Sequence, residues 1–106
     1  MIRLLTENDV IENSNCENYE NQYVVLKPEF LKLEYRDAKN QLFMAKGGFG
    51  CDPTKMGTAV IGFFCGDGES SRVERFDVMG IIKPESLEEW KKVYGEPVEK
   101  WVENIS

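Results

Sequence analysis

The chain has 106 residues, 42% of them hydrophobic, with six Phe, four Tyr and two Trp: enough for one domain with its own core and no room for a second. It contains no histidine, which excludes a Ser-His-Asp triad and leaves structural zinc only a mixture of Cys and carboxylate ligands. Thirteen basic against nineteen acidic residues give a net charge of −6, which opposes nonspecific nucleic-acid binding but leaves room for a local basic patch.

The three cysteines, Cys16, Cys51 and Cys65, form no CxxC pair and cannot all pair with one another, which favours free thiols in a reducing compartment. No run approaches the roughly 18 apolar residues of a membrane span, and the opening residues turn polar too soon for a signal peptide, so the chain reads as cytoplasmic. Charge is uneven: residues 1–22 carry five acids and one base, residues 23–84 eight acids and nine bases, and residues 85–106 six acids and three bases. Acidic ends keep a small protein soluble, and they also suit a basic partner surface.

Ile2, Leu4 and Leu5 could open a short strand, but residues 7–22 are polar and read as a loop or loosely ordered arm anchored by Val10 and Ile11. Tyr23 to Leu26 suits a strand that Lys27-Pro28 ends, because proline lacks the ladder donor. Pro28 then opens a helical turn that would bury Phe30, Leu31 and Leu33. Asp37 to Asn40 is turn-like, and Gln41 to Lys46 reads as the second strand. Thr58 to Gly66 is apolar on both alternating faces and predicts a central strand covered on both sides. The turn residues from Gly66 to Ser71 predict an antiparallel return through Ser71 to Ile82, with Val73 out of phase with Phe76 as for a bulge and Gly80 leaving space for a bulky ring. In the tail, Ser86 and Glu89 have the spacing of a capping box, and Leu87, Trp90 and Tyr94 recur on one helical face before Gly95. Pro97 starts a second helix carrying Val98, Trp101, Val102 and Ile105, so both tryptophans point inward. The expectation is a single α+β domain: a polar arm (1–22), a β-rich core (23–84) whose four to five antiparallel strands form a curled or barrel-like sheet, and a helical tail (85–106) packed on it.

Seven of the nine glycines fall between Gly47 and Gly68. Such a cluster outside any repeat specifies backbone geometry or close approach. The run Asn40-Gln41-Leu42-Phe43, then Gly47-Gly48-Phe49-Gly50-Cys51-x-Pro53, Gly57-x-Ala59-Val60 and Asp67-Gly68-Glu69-x-x-Arg72-x-x-Arg75-x-Asp77-x-x-Gly80 resembles a large-polyvalent-protein-associated domain of phage and conjugative-element proteins from Gram-positive bacteria. The resemblance spans about residues 23–84. It implies a mobile-element origin, supplies no catalytic residues, and marks the Asp67-Gly68-Glu69 turn with Arg72, Arg75 and Asp77 as part of the domain's pattern.

The chemistry-bearing residues point the same way. The glycine loop has neither GxGxxG nor GxxxxGK[ST] spacing, so a turn with Phe49 tucked into the core is favoured over a phosphate cradle. Asp67, Glu69, Glu74 and Asp77 interleave with Arg72 and Arg75, which favours structural pairing over acid–base work, with an outward-splayed Arg72 and Arg75 as an anion- or partner-binding feature. Cys65 lies in an apolar strand and reads as inert, while Cys51 in the loop is the thiol to test. The function expected is a non-enzymatic accessory protein of a mobile element, binding a host or element-encoded protein through Asp67, Glu69, Arg72, Arg75 and Asp77, with no metal or cofactor and no membrane. The alternatives are a small β-domain binding nucleic acid through Lys27, Lys32, Arg36, Lys39, Lys46 and Lys55 beside Tyr35 and Phe49, and a small-ligand binder using the Gly-rich loop.

Overall fold

The structure is a computed structural model and describes residues 4–33 and 37–100, with only the backbone of Leu33. Five strands, β1 (Gln22–Leu26), β2 (Leu42–Gly47), β3 (Ala59–Phe64), β4 (Ser70–Glu74) and β5 (Val78–Ile81), form one antiparallel sheet in the order β4-β3-β2-β1-β5. Two helices accompany it, α1 (Pro28–Leu33) and α2 (Pro84–Tyr94). The two edge strands are consecutive in sequence, separated only by a 3-10 turn at Arg75–Asp77. Four residue steps reach at most about 14 Å, whereas the edges of a flat five-stranded sheet stand roughly 19 Å apart. The sheet must therefore curl until its edges approach, which is the barrel-like shape expected, without closing.

Curling gives the sheet a filled interior. Val24, Leu26, Phe43, Ala45, Val60, Phe64, Val73 and Val78 point inward together with Tyr19 and Cys51, and the Phe64 ring meets Phe43 edge-on at 5.4 Å. The alternate positions Val25, Leu42, Phe63 and Cys65 form an outer cluster under Leu5, Ile82 and Trp90, with Leu87 and Tyr94 packed against it. One end of β3 is thus covered on both faces, as its sequence predicts, while at its other end Ile61 is 42% exposed. Buried Gln41 ties the N-terminal segment to the sheet: its amide nitrogen donates to the carbonyls of Leu5 (2.8 Å) and Leu26 (3.0 Å), and its amide oxygen accepts from the Leu5 N–H (2.7 Å).

Several expectations are corrected. The arm is docked, with 3-10 turns at Glu7–Asp9 and Ser14–Cys16, a bridge from Val10 to Ile82, and buried Leu5, Asp9, Ser14 and Tyr19; Ile11 is exposed. Leu4 and Leu5 form no strand. The single strand from Ser71 to Ile82 is two strands: Glu74 and Asp77 cap each other's backbone across the Arg75–Asp77 turn, so the phase slip at Val73 marks a break and not a bulge. The space at Gly80 holds no ring. The Ser14 hydroxyl fills it and accepts the Ile81 N–H at 2.9 Å, and a Cβ at Gly80 (φ 157°) would collide with that oxygen.

Helix α2 begins at Pro84 with Lys83 as its N-cap, because proline is suited to the first helical position. Ser86 is consequently inside the helix and donates to the buried Asp9 carboxylate at 2.9 Å, forming no capping box. Gly95 (φ 88°) ends α2 as expected. Residues 97–100 take no helical form and so do not start the expected second helix; the Val98 N–H is bonded to the Cys65 carbonyl at 2.8 Å. Phe30 is half-buried against Phe64, and Leu31 is buried. The side chain of Leu33 and the placements of Ile2, Trp101, Val102 and Ile105 lie outside the described residues.

Candidate functional site

The glycine loop is built for backbone contact. Gly48 (φ 103°) and Gly50 lie against the carbonyls of Ala59 and Thr58, so closely that a Cβ at either position would overlap those atoms. With Gly48 as its N-cap, the chain makes a 3-10 turn at Phe49–Cys51. Those glycines let the loop fold down on the start of β3, and the cost is that Phe49 is carried outward. Phe49 is 69% exposed and is not tucked into the core. The next turn is held by Asp52, whose carboxylate accepts from the Thr54 N–H (2.9 Å) and hydroxyl (2.7 Å). These bonds hold the Asp52 carboxyl below its usual range.

Arg75 is the hub that binds this loop to the rest. One guanidinium nitrogen donates to the carbonyls of Gly50 (2.8 Å) and Cys51 (2.9 Å), and the other to those of Glu17 (2.9 Å) and Asn15. The guanidinium carbon also stands 4.0 Å from the Tyr19 ring centroid. Four carbonyls take the N–H groups of its two terminal nitrogens and an aromatic face covers the guanidinium, so Arg75 does not splay outward. Its own N–H is bonded to the Thr58 carbonyl. Arm, glycine loop and the β4–β5 turn therefore meet at a single side chain.

The other residues of the Asp67, Glu69, Arg72, Arg75, Asp77 set are dispersed. Asp67 shapes the β3–β4 hairpin, accepting from the Glu69 N–H (2.8 Å) and the Asn40 amide (3.0 Å). Arg72 pairs with Glu74 at 3.1 Å on the exposed side of β4. Asp77 accepts the Glu74 N–H at 3.0 Å across the turn, so Arg75 and Asp77 neither share a strand face nor pair. Among the described residues no group of three or more His, Cys, Asp or Glu could hold a metal ion.

The cysteines divide by burial. Cys51 is buried, and burial pushes its thiol up to about 11, with Glu20 adding to the shift and Arg75 opposing it. Its Sγ donates to the Gly47 carbonyl at 3.2 Å. The loop position singled out by sequence thus holds a buried, hydrogen-bonded thiol. Cys65 is buried and raised further, again by desolvation. Cys16 alone is exposed.

The side chains presented to solvent are apolar as well as charged. Met56 is 100% and Phe76 64% exposed, standing with Phe49 on the loop and turn that Arg75 joins. Comparison with protein-family models, with curated proteins and with solved structures gives no match to this chain.

The lysines weighed for nucleic acid sit on separate elements: Lys27 before α1, Lys32 in α1, Lys39 before β2, Lys46 in β2 and Lys55 in the glycine loop. Arg36 and Tyr35 lie outside the described residues. Two features were missed by sequence reasoning. Phe76 lies within the single strand expected from Ser71 to Ile82, and the break at Arg75–Asp77 puts it on a turn instead. Tyr19 was passed over although an isolated aromatic in an otherwise polar arm was the available signal of docking.

No described helix is long and apolar enough to cross a membrane.

Proposed function

We propose that this chain is a non-enzymatic protein–protein interaction module, a cytoplasmic accessory of a mobile genetic element that binds a host or element-encoded protein. The observation that carries it is the exposure of Phe49, Met56 and Phe76 on the segments that Arg75 fastens together. Aromatic residues and methionine are enriched in protein interfaces, and exposed apolar side chains gathered in one region mark such surfaces. The non-enzymatic part is supported by the fate of the groups considered for chemistry: Arg75 and Asp77 are engaged by backbone, and Cys51 is buried with a raised pKa. The mobile-element assignment rests on the resemblance of residues 23–84 to the phage and conjugative-element domain.

Affinity capture from a Gram-positive host lysate tests the reading, with wild type compared with a Phe49→Ser, Met56→Ser, Phe76→Ser variant. The expected result is a protein retained by the wild type and lost by the variant at equal loading. Recovery of no protein above background at several salt concentrations would contradict it.

A further inference from the structure

Three hollows on one side of the molecule all include Lys27. The first, of about 370 Å³, is bounded by Asn15, Thr58, Phe76 and Val78 and holds two cations, Lys27 and Arg75, with no acid in its lining. The second, of about 580 Å³, shares Asn15, Lys27 and Val78 with it and sets Lys27 and Lys83 against Glu7 and Glu12. The third, of about 540 Å³, shares Glu7, Asn8, Lys27 and Met79 with the second and sets Lys27 against Glu7 and Glu29. Shared lining residues place them side by side, in a series from a cationic end at Arg75 and Phe76 to an acidic end at Glu7 and Glu29.

We propose that these adjoining hollows form one groove that binds an extended peptide segment of a partner protein, with an Asp or Glu carboxylate on the Lys27 ammonium, an apolar residue against Phe76, and a basic residue towards Glu7 and Glu29. The proposal rests on the interaction-module reading and names its ligand chemistry. Lys27 is the donor because its side chain is exposed and its ammonium has no ion pair or hydrogen bond with a described residue. Arg75 adds charge there, while carbonyl oxygens take the N–H groups of its two terminal nitrogens. Glu74 does not cancel the cationic end: its carboxylate is held by the Thr58 hydroxyl and by Arg72. A linked series of hollows suits an extended chain better than a compact ligand, which is ordinarily enclosed over most of its surface. Carboxamides at Asn8, Asn13 and Asn15 can both donate to and accept from a peptide main chain. Val78 and Met79 add apolar lining.

Selection of a displayed library of random twelve-residue peptides on the full chain is the test, followed by affinity measurement against wild type, Lys27→Glu and Lys27→Met. Because Lys27 is exposed, both variants are expected to melt as the wild type does, and the second avoids introducing new charge. The expected result is enriched peptides with an acid at a fixed position, weakened about tenfold by either substitution and restored to Lys27→Glu when that acid is exchanged for lysine. Failure to enrich any peptide, or peptides that bind both variants as tightly as wild type, would overturn the groove. Peptides lost instead on the Phe49→Ser, Met56→Ser, Phe76→Ser variant and indifferent to Lys27 would also overturn it while leaving the interaction-module reading standing. That reading fails separately, through the lysate capture.

Discussion

The guanidinium of Arg75 lies over the ring of Tyr19, its carbon 4.0 Å from the ring centroid, and so joins a residue of the acidic arm to the turn between the two edge strands. With its carbonyl bonds to Asn15, Glu17, Gly50 and Cys51, this contact holds the arm, the glycine loop and the turn together. Replacing Arg75 by alanine leaves partly buried carbonyls unsatisfied and removes the cation–π contact, a loss of about 3 kcal/mol. Arg75→Lys keeps the charge but not the planar fork, and should lose about 2 kcal/mol. Urea unfolding of the two variants beside wild type measures both.

Buried Gln41 leads to a second prediction. Gln41→Leu has similar volume but strips partners from the Leu5 N–H and the carbonyls of Leu5 and Leu26. A loss of about 2–3 kcal/mol is expected. Amide hydrogen exchange should accelerate locally at Leu5, which a purely global loss of stability would not single out.

The glycines give a paired prediction. At Gly50 a Cβ would overlap the Thr58 carbonyl, whereas at Gly47 it meets nothing within 4 Å. Gly50→Ala should therefore displace the loop and lower stability by about 2 kcal/mol or more, and Gly47→Ala should be neutral or slightly stabilising through the unfolded chain. Thermal melts of the two variants separate close backbone contact from glycine composition.

Alkaline pH should destabilise the fold. Cys51 is raised from 9.0 to about 11, and desolvation raises Cys65, Tyr19, Tyr23 and Tyr94 as well. In each case the unfolded chain releases its proton at lower pH than the native state. The unfolded state therefore binds fewer protons, and stability falls as pH rises. For Cys51 the contribution is complete below about pH 9 and is lost as pH passes 9.0 towards about 11. Urea midpoints between pH 7 and pH 11 should decline. Below pH 9 a thiol reagent should titrate Cys16 while Cys51 and Cys65 stay protected until the protein unfolds.

Local pattern carried far in this chain. The β3 to β4 hairpin, the end of β1 at Lys27-Pro28, α1 opening at Pro28 and α2 stopping at Gly95 follow from alternation, proline and glycine, each acting within a few residues. What could not be read depends on partners distant in sequence. Tyr19 is buried among core residues from all five strands, with Arg75, 56 positions later, on its face. Ser86 has the spacing of a capping residue, but Asp9 takes its hydroxyl, and Pro84 had already set the helix start. Of the candidate surface, the charged positions were visible as a motif, yet their spacing could not show that Arg75 turns inward while Arg72 stays out. Phe49 was placed in the core on hydrophobicity alone, and the packing of Gly48 and Gly50 against β3 sends it to solvent.

The most direct test of the interaction surface is a nuclear magnetic resonance footprint of the recovered partner on isotope-labelled protein. Shifts and line broadening should concentrate at Phe49, Met56 and Phe76 and extend to Lys27, with the outer face of α2 unchanged. A footprint centred on α2 or on the Asp67–Glu69 hairpin, with those four residues unperturbed, would contradict the account.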